Sequence, residues 1–508
     1  MLVVLLGTSH CSDRPERTAL RIQPMDAGGP SPSCAIATTP SCGDPCADGV
    51  VVNGDVTENT VWDCPVYTLP GPVYVEGTRA APARLVIAPG TRIRGRRGDV
   101  ERGQLPGVLI VTRSGRLEAR GTSGAPIVFT SSEAPGARQP GDWGGIVLLG
   151  SAPINTPADF ESSGNRAGVM FVEGLPRDER TSYGALEPEA ADAGADAGDS
   201  GIDAGDAGPP LTADPDHECG HLRFVRIEFA GFEVGDNNEL NGLTVAGCGR
   251  ATELDHIQVH LGSDDGIEFF GGNADLTHAV LTDTRDDALD WDQGWVGRVQ
   301  FLAIRQNTAE DAEASSDNAM EGDGFADPER AEGVGSAPVM RNVTVLSGRG
   351  STRGLRLREG TGLQLASAII AADASGATAG LIELGDALTA DQLTLGRLRV
   401  NNTILAGAWP LTAREDSRGN RYLEADYFTI GDGAAGNSSI DVAELGALLP
   451  GAFDPLAPHW VPPRGSLASR GWAAPAQDRF FDDTATYRGA FDPAGADWTQ
   501  GWTAYPQN

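Results

Sequence analysis

The stretch GSDDGIEFFGG, residues 262–272, decides the fold, because TDTRDDALDWDQGW, residues 282–295, writes the same acidic phrase again one strand and turn later. Two further copies flank them. NGLTVA from Asn241, DGIEFF from Asp265, DALDWD from Asp287 and NAMEGD from Asn318 align at intervals of 24, 22 and 31 residues. Each is preceded by a β-type run, RFVRIEFAG, DHIQVHLG, THAVLTD and QFLAIRQ in turn. Short strands repeating at this period with no helix between them predict coils of a parallel β-helix. Leucine-rich and α/β repeats need a helix, and propeller blades of about 40 residues fit the spacing less well. Stacked coils set equivalent residues about 4.8 Å apart on neighbouring strands.

Period-two alternation then sorts the side chains. Leu243, Ile267, Leu289 and Met320 form an inward column, with Val245, Phe269 and Trp291 beside it. Outward point Thr244, Glu268, Asp290 and Glu321, followed two places on by Phe270, Asp292 and Asp323. Glu268, Asp290, Asp292, Glu321 and Asp323 thus make a carboxylate patch on one face. Unit charges about 5 Å apart repel by about 1 kcal/mol in water and about 3–4 kcal/mol at an effective dielectric of 20. Two readings relieve that repulsion. Calcium accepts six to eight oxygens in flexible geometry and suits carboxylates from neighbouring coils. Alternatively the ladder is fully solvated and relieved at one end by Arg356 and Arg358 of GLRLREG, Arg356 falling 35 residues after Glu321.

The doublets Asp264-Asp265 and Asp286-Asp287 carry a second pair of readings. Asp265 and Asp287 have inward parity and stack with Asn241 and Asn318, as in ladders that satisfy turn backbones. The alternative is glycoside hydrolysis by Asp264, Asp265, Asp286 and Asp287, one carboxylic acid protonating the leaving oxygen while another activates water. SDDGIE resembles the adjacent aspartates of polygalacturonase-like β-helix hydrolases, but the NTD, GHG and RIK stretches of that family are not matched. His256 and His278 share an outward column and offer a two-histidine zinc or copper site or, more simply, exposed stacked rings. Cys219 and Cys248, 29 residues apart, suit a disulfide stapling adjacent coils. Trp295, Trp460 and Trp502 are candidates for stacking on sugars, against an expectation of buried packing. GxSxG, HExxH and P-loop patterns are absent.

Bulk properties agree with an extracytoplasmic solenoid. The 508 residues include 38 basic and 71 acidic side chains, a formal net charge of -33. Every basic residue is arginine, so a Schiff-base or lysine-base chemistry is excluded. The charge opposes nucleic acid and anionic lipid surfaces and favours cations. Cys34, Cys42, Cys46 and Cys64 are read as disulfide-forming with their pairing open, in preference to structural zinc. MLVVLLGTSHC reads as a clipped export signal with Cys11 as a lipid-anchor position, although it lacks a basic start and has His10 where a small residue is wanted. No stretch approaches the roughly 20 apolar residues of a spanning helix. Residues 1–49 are read as signal remnant and Cys/Pro-rich stalk, 50–407 as the solenoid, and 408–508 as a cap or packed extension covering the last open coil. The Ala-Asp-Gly-rich insertion at 187–212 reads as an expanded solvated loop.

LVIAPGTRIRG, GTSGAPIVFTS, PGDWGGIVLLGSAPIN, FVRIEFAGFEVGDNNELNGLTVAGCG, SDDGIEFFGG, GLRLREGTG and the closing YRGAF with WTQGWT resemble a group of secreted or surface proteins of Gram-negative bacteria. These are right-handed parallel β-helices, pectate-lyase-like solenoids often described only as lipoproteins. The resemblance runs from about Val50 to Trp502 and implies an all-β, right-handed parallel β-helix of roughly a dozen coils at the cell envelope. It implies no catalytic residues. The expected function is binding of glycan or a surface partner by a secreted or outer-membrane protein, with calcium stiffening the acidic face. The rival expectation is a polysaccharide hydrolase or lyase, the lyase wanting a base such as Arg356 beside the metal.

Overall fold

A computed structural model describes residues 46, 49–158, 167–186, 211–235, 238–306, 317–348, 353–372, 380–407, 409, 413–430, 436–474 and 476–508. The stalk before Cys46, with Cys11, Cys34 and Cys42, and the insertion from 187 to 210 lie outside them. Residues from Pro45 to the end form one compact unit.

Alternating apolar runs closed by glycine turns cannot bury both faces of a hairpin, so each turn of chain stacks on the last. The result is a parallel β-helix. A front sheet of nine parallel strands runs in strict chain order from Pro72–Val75 to Gly380–Leu384. A seventeen-stranded sheet wraps the rest of the barrel. Register follows the repeat: Leu243 pairs with Ile267, Ile267 with Leu289, and Leu289 with Met320. Their side chains, with Phe269 and Trp291, are fully buried in the central core.

The four upstream runs form strands Gly220–Glu228, Glu253–His260, Asp275–Thr282 and Arg298–Arg305, each interrupted at one position. There Phe224, His256, His278 and Phe301 take left-handed backbone, φ 49° to 59°, and Asn342, Ser367 and Asn402 continue the column. Left-handed backbone costs a non-glycine residue roughly 1–2 kcal/mol. Stacking of like side chains at this corner offsets it, the His256 and His278 rings lying 4.3 Å apart.

Two disulfides form among the described residues. Cys219–Cys248 joins consecutive coils, and Cys46–Cys64 ties the end of the stalk to the first coils.

The C-terminal region divides in two. Tyr422 and Phe428, with Trp409 stacked on Phe428, pack against the last coils and join the central core. Residues from Leu467 onward pack as an extension, or strap, along the outside of the wrapped sheet. The reason is a pair of neighbouring outward columns, Val280, Ala303, Ile369 and Ile404 in one and Leu346, Ala371 and Ala406 in the other, an apolar stripe that needs cover. Side-chain amides grip the strap. Asn402 donates to Gly471 O at 3.0 Å, Asn342 to Tyr487 O at 3.0 Å, and Gln258 to Ala504 O at 2.8 Å. Trp460 and Trp502 are fully buried under it, and Trp295 is fully buried on Phe269, so none of the three meets a sugar.

Candidate metal centre

Front-sheet register builds one outward column from Tyr74 through Ile110, Val147, Thr244, Glu268 and Asp290, then Glu321, Arg356 and Glu383. Its lower half is apolar and covered by two antiparallel hairpins, Val169–Phe171 with Ser182–Gly184 and Phe232–Gly235 with Asn238–Leu240. Its upper half is charged. One wall of that half is the segment 152–156, which crosses successive coils. Asn155 donates its N–H to Gln293 O at 2.9 Å and its Nδ2 to Gly324 O at 2.8 Å, and its Oδ1 accepts from Ala326 N at 3.2 Å. Tyr183 closes the corner with its hydroxyl on Gln293 Oε1 at 3.0 Å.

The inward-parity residues form a ladder. Asp265 Oδ1 accepts from Asp287 N at 2.9 Å, and Asp287 Oδ1 accepts from Asn318 N at 2.5 Å. At the foot, Asn241 Nδ2 donates to Glu268 Oε2, while Asn241 Oδ1, buried, has no partner among the described residues.

Carboxylates converge on this ladder in three interlocking triads, in each of which one oxygen per residue lies within 4.8 Å of the others: Asp264, Asp265 and Asp286; Asp265, Glu268 and Asp290; Asp286, Asp287 and Asp317. Asp317 had not been singled out, although it stands before Asn318 as Asp264 and Asp286 stand before Asp265 and Asp287. Glu173, whose charge acts on Asp264 and Glu268, comes from an inter-coil excursion outside any repeat.

The predicted five-residue patch splits by charge balance. Arg358 holds Asp323 at 2.6 and 3.0 Å and also pairs with Glu321, which Arg356 reaches at 3.3 Å. Arg353 and Arg414 both take Glu383. Glu268 and Asp290 lie farther down the column, beyond these ion pairs. Burial pushes the carboxyls of Asp265, Glu268, Asp287 and Asp290 well above their ordinary range, and neighbouring carboxylates push the same way. Burial and Asp323 bring Asp292 up to about 7. A fully solvated ladder is therefore not what the chain builds. Glu268 and Glu321 are 7% and 6% exposed, because flanking segments fold over the face. Asp286 alone of the doublets stands exposed, at the rim.

The donors fit a hard divalent cation. They are all oxygen, and they come from adjacent coils about 4.8 Å apart. Asp265, Glu268 and Asp290 are the residues that would hold calcium, and none of the three forms an ion pair with an arginine among the described residues.

The histidine pair is differently placed. Asp255 Oδ1 bonds His256 Nδ1 at 2.7 Å and His278 Nδ1 at 2.9 Å. Trp498 and Trp502 stand edge-on to the rings, so the column is covered by the strap. That arrangement locks the strap and uses both Nδ1 atoms on one carboxylate.

No helix among the described residues is long and apolar enough to cross a membrane. No curated protein and no solved structure matches the chain. A family model described as a pectate-lyase-like beta helix domain matches residues 54–171 and 210–443, which is the solenoid with the Ala-Asp-Gly insertion left out. Parallel strands in unbroken chain order, inward apolar ladders and this match together show that the chain belongs to the pectate-lyase-like beta helix family.

Proposed function

We propose that the chain works outside the cytoplasm as a calcium-stabilised β-helix that binds a polysaccharide through its front face. One observation carries the reading: Asp265, Glu268 and Asp290 bring three carboxylate oxygens within 4.8 Å in a half-covered trough, while the arginines of that face are engaged higher up with Glu321, Asp323 and Glu383. A divalent ion there would leave coordination positions for a ligand's own oxygens. A family whose fold is named for a pectate-cleaving enzyme supports a polysaccharide partner. Two disulfides support an oxidising compartment. Anchoring through Cys11, as against free secretion, belongs to this proposal too.

A second reading makes the trough catalytic. The rim position of Asp286 and the upward shift of the Asp264 carboxyl, caused first by burial and then by Asp286, suit a proton donor in glycoside cleavage. Neutral and acidic polysaccharides assayed for reducing ends and unsaturated products, with calcium and with chelator, separate the two. Binding without turnover supports the first reading. Turnover abolished by Asp265→Asn with Asp287→Asn overturns it in favour of the second.

A further inference from the structure

In a chain so rich in acid, four arginines meet on the outer face of the wrapped sheet. Arg92 lies beside Val128 and Val128 beside Arg226 on the next coil, while Arg94 lies beside Thr130. Arg138 reaches in from the loop after the strand Ile127–Ser131. With Pro135 and the end of the strap at Tyr505 and Pro506, Arg92, Arg138 and Arg226 bound a cavity of about 470 Å³. Small-molecule sites occupy about 300–1,000 Å³.

Arg226 is paired with Glu228, whereas Arg92 and Arg138 have no ion pair among the described residues. Glu228 is the single carboxylate lining the cavity, and it already accepts from Arg226 Nε at 3.0 Å. The Arg92 and Arg94 side chains make no ion pair or hydrogen bond among the described residues. Arg138 gives only Nε, to the Glu133 carbonyl at 3.1 Å. Two buried atoms are orphaned as well, Arg94 Nε and the hydroxyl of Thr130, a residue 1% exposed that stands between Arg94 and Glu228 on the same outward column. Both atoms belong to the column beside the cavity, whose own wall carries Arg92, Arg138 and Arg226. Burial first, and then Arg92 and Arg94, holds the Arg138 guanidinium below its ordinary value against the opposing pull of Glu228 and Asp142.

We propose that this cavity is a second binding site, for the anionic group of an acidic sugar, a uronate carboxylate or a sulfate ester. Guanidinium forks match both oxyanions in bidentate geometry, and Arg92 and Arg138 present theirs on the cavity wall. Val128, Pro135, Tyr505 and Pro506 give a ring an apolar edge to pack on. A net charge of -33 repels extended polyanions such as nucleic acid and anionic membrane surfaces, while a short oligosaccharide presents only a few charges to the local cluster. The site is independent of the front-face cation.

Calorimetric titration of the full chain, in chelator, tests this with trigalacturonate, its methyl ester, a sulfated disaccharide and inorganic phosphate. The expected result is binding by trigalacturonate or the sulfated disaccharide, with the methyl ester about tenfold weaker or worse. Arg92→Gln with Arg138→Gln is expected to weaken that binding about tenfold or more while leaving the melting temperature unchanged. Asp264→Asn with Asp286→Asn is expected to leave it unaltered, which separates this site from the front face. The proposal is overturned by no binding of either acidic sugar, by equal binding of the methyl ester, by inorganic phosphate binding as tightly as the sugars, or by an arginine double variant that binds like the parent.

Discussion

The carboxylate of Asp265 accepts a hydrogen bond from the backbone N–H of Asp287, the equivalent residue one coil above, at 2.9 Å. A residue that carries charge into the trough therefore also holds two coils in register. Asn keeps the acceptor and removes the charge, whereas Ala removes both. Asp265→Asn is expected to melt at or above the parent temperature in chelator and to lose calcium stabilisation. Asp265→Ala is expected to lose about 1–3 kcal/mol with or without calcium, because a buried N–H is left unpaired. Thermal melts of the two variants in both buffers give the four values needed. If Asp265→Asn still gains stability from calcium as the parent does, Asp265 is not a ligand.

Calcium is expected to raise the melting temperature of the parent chain, adding about 2.7 kcal/mol at a hundred times its dissociation constant. Magnesium is expected to do less, since it demands stricter octahedral placement and keeps its waters. Differential scanning calorimetry with calcium, magnesium and chelator reads this directly. Coincident melts in all three would leave the acidic trough without a cation.

Arg358 is the counter-charge of the upper trough, bidentate on Asp323 and shared with Glu321. Its side chain is 34% exposed against 13% and 7% for its partners. Removing it strands the covered carboxylate of Asp323 and leaves Glu321 with Arg356 as its one arginine among the described residues. Arg358→Ala is expected to cost about 2–4 kcal/mol, discounted from the fully buried case by that exposure. Arg358→Ala with Glu321→Gln and Asp323→Asn is expected to recover most of the loss in a denaturant titration. A neutral single variant would mean that solvent already screens the pair.

The strap has a built-in acid weakness. His260 Nε2 donates to Pro506 O at 3.0 Å and Nδ1 lies 2.8 Å from Thr282 Oγ1. Burial first, with nearby arginines, lowers the ring from 6.5 to about 3. The folded state thus binds the proton less readily than the unfolded chain. Stability from this residue is complete above about pH 6.5 and drains away as pH falls toward 3, at up to about 1.4 kcal/mol per unit. His260→Gln is expected to flatten that part of the pH profile. Limited proteolysis between pH 7 and pH 4 is expected to release the C-terminal strap sooner in the parent than in the variant. Equal slopes in the two proteins would show that His260 does not carry the effect.

Much of the trough was legible from the repeat. Because the side-chain period is two and the coil intervals are 24, 22 and 31 residues, Glu268, Asp290 and Glu321 had to share a face, and the paired strands obey that register. Asp317 was equally readable and was passed over because its neighbour is Asn318 and not a second aspartate. Glu173 was not readable, since it lies on an excursion with no repeat to align it. The basic cavity was not readable either. Arg92, Arg138 and the residues at 504–506 are joined by a strap that travels back over the solenoid, and contacts of such sequence separation leave no local pattern.

The sequence by itself determined the coil, its register and which residues face in or out, because stacking strands with period-two side chains leaves each residue one choice of face. Only the tertiary structure decided what covers those faces. Whether an outward carboxylate is solvated, paired with arginine or left for a cation depends on where the 152–156 segment, the two hairpins and the C-terminal strap come to rest. Those segments are placed by apolar stripes and side-chain amides far away along the chain. Burial of a charge is a property of its neighbours in space, and so it appears only once the chain has folded.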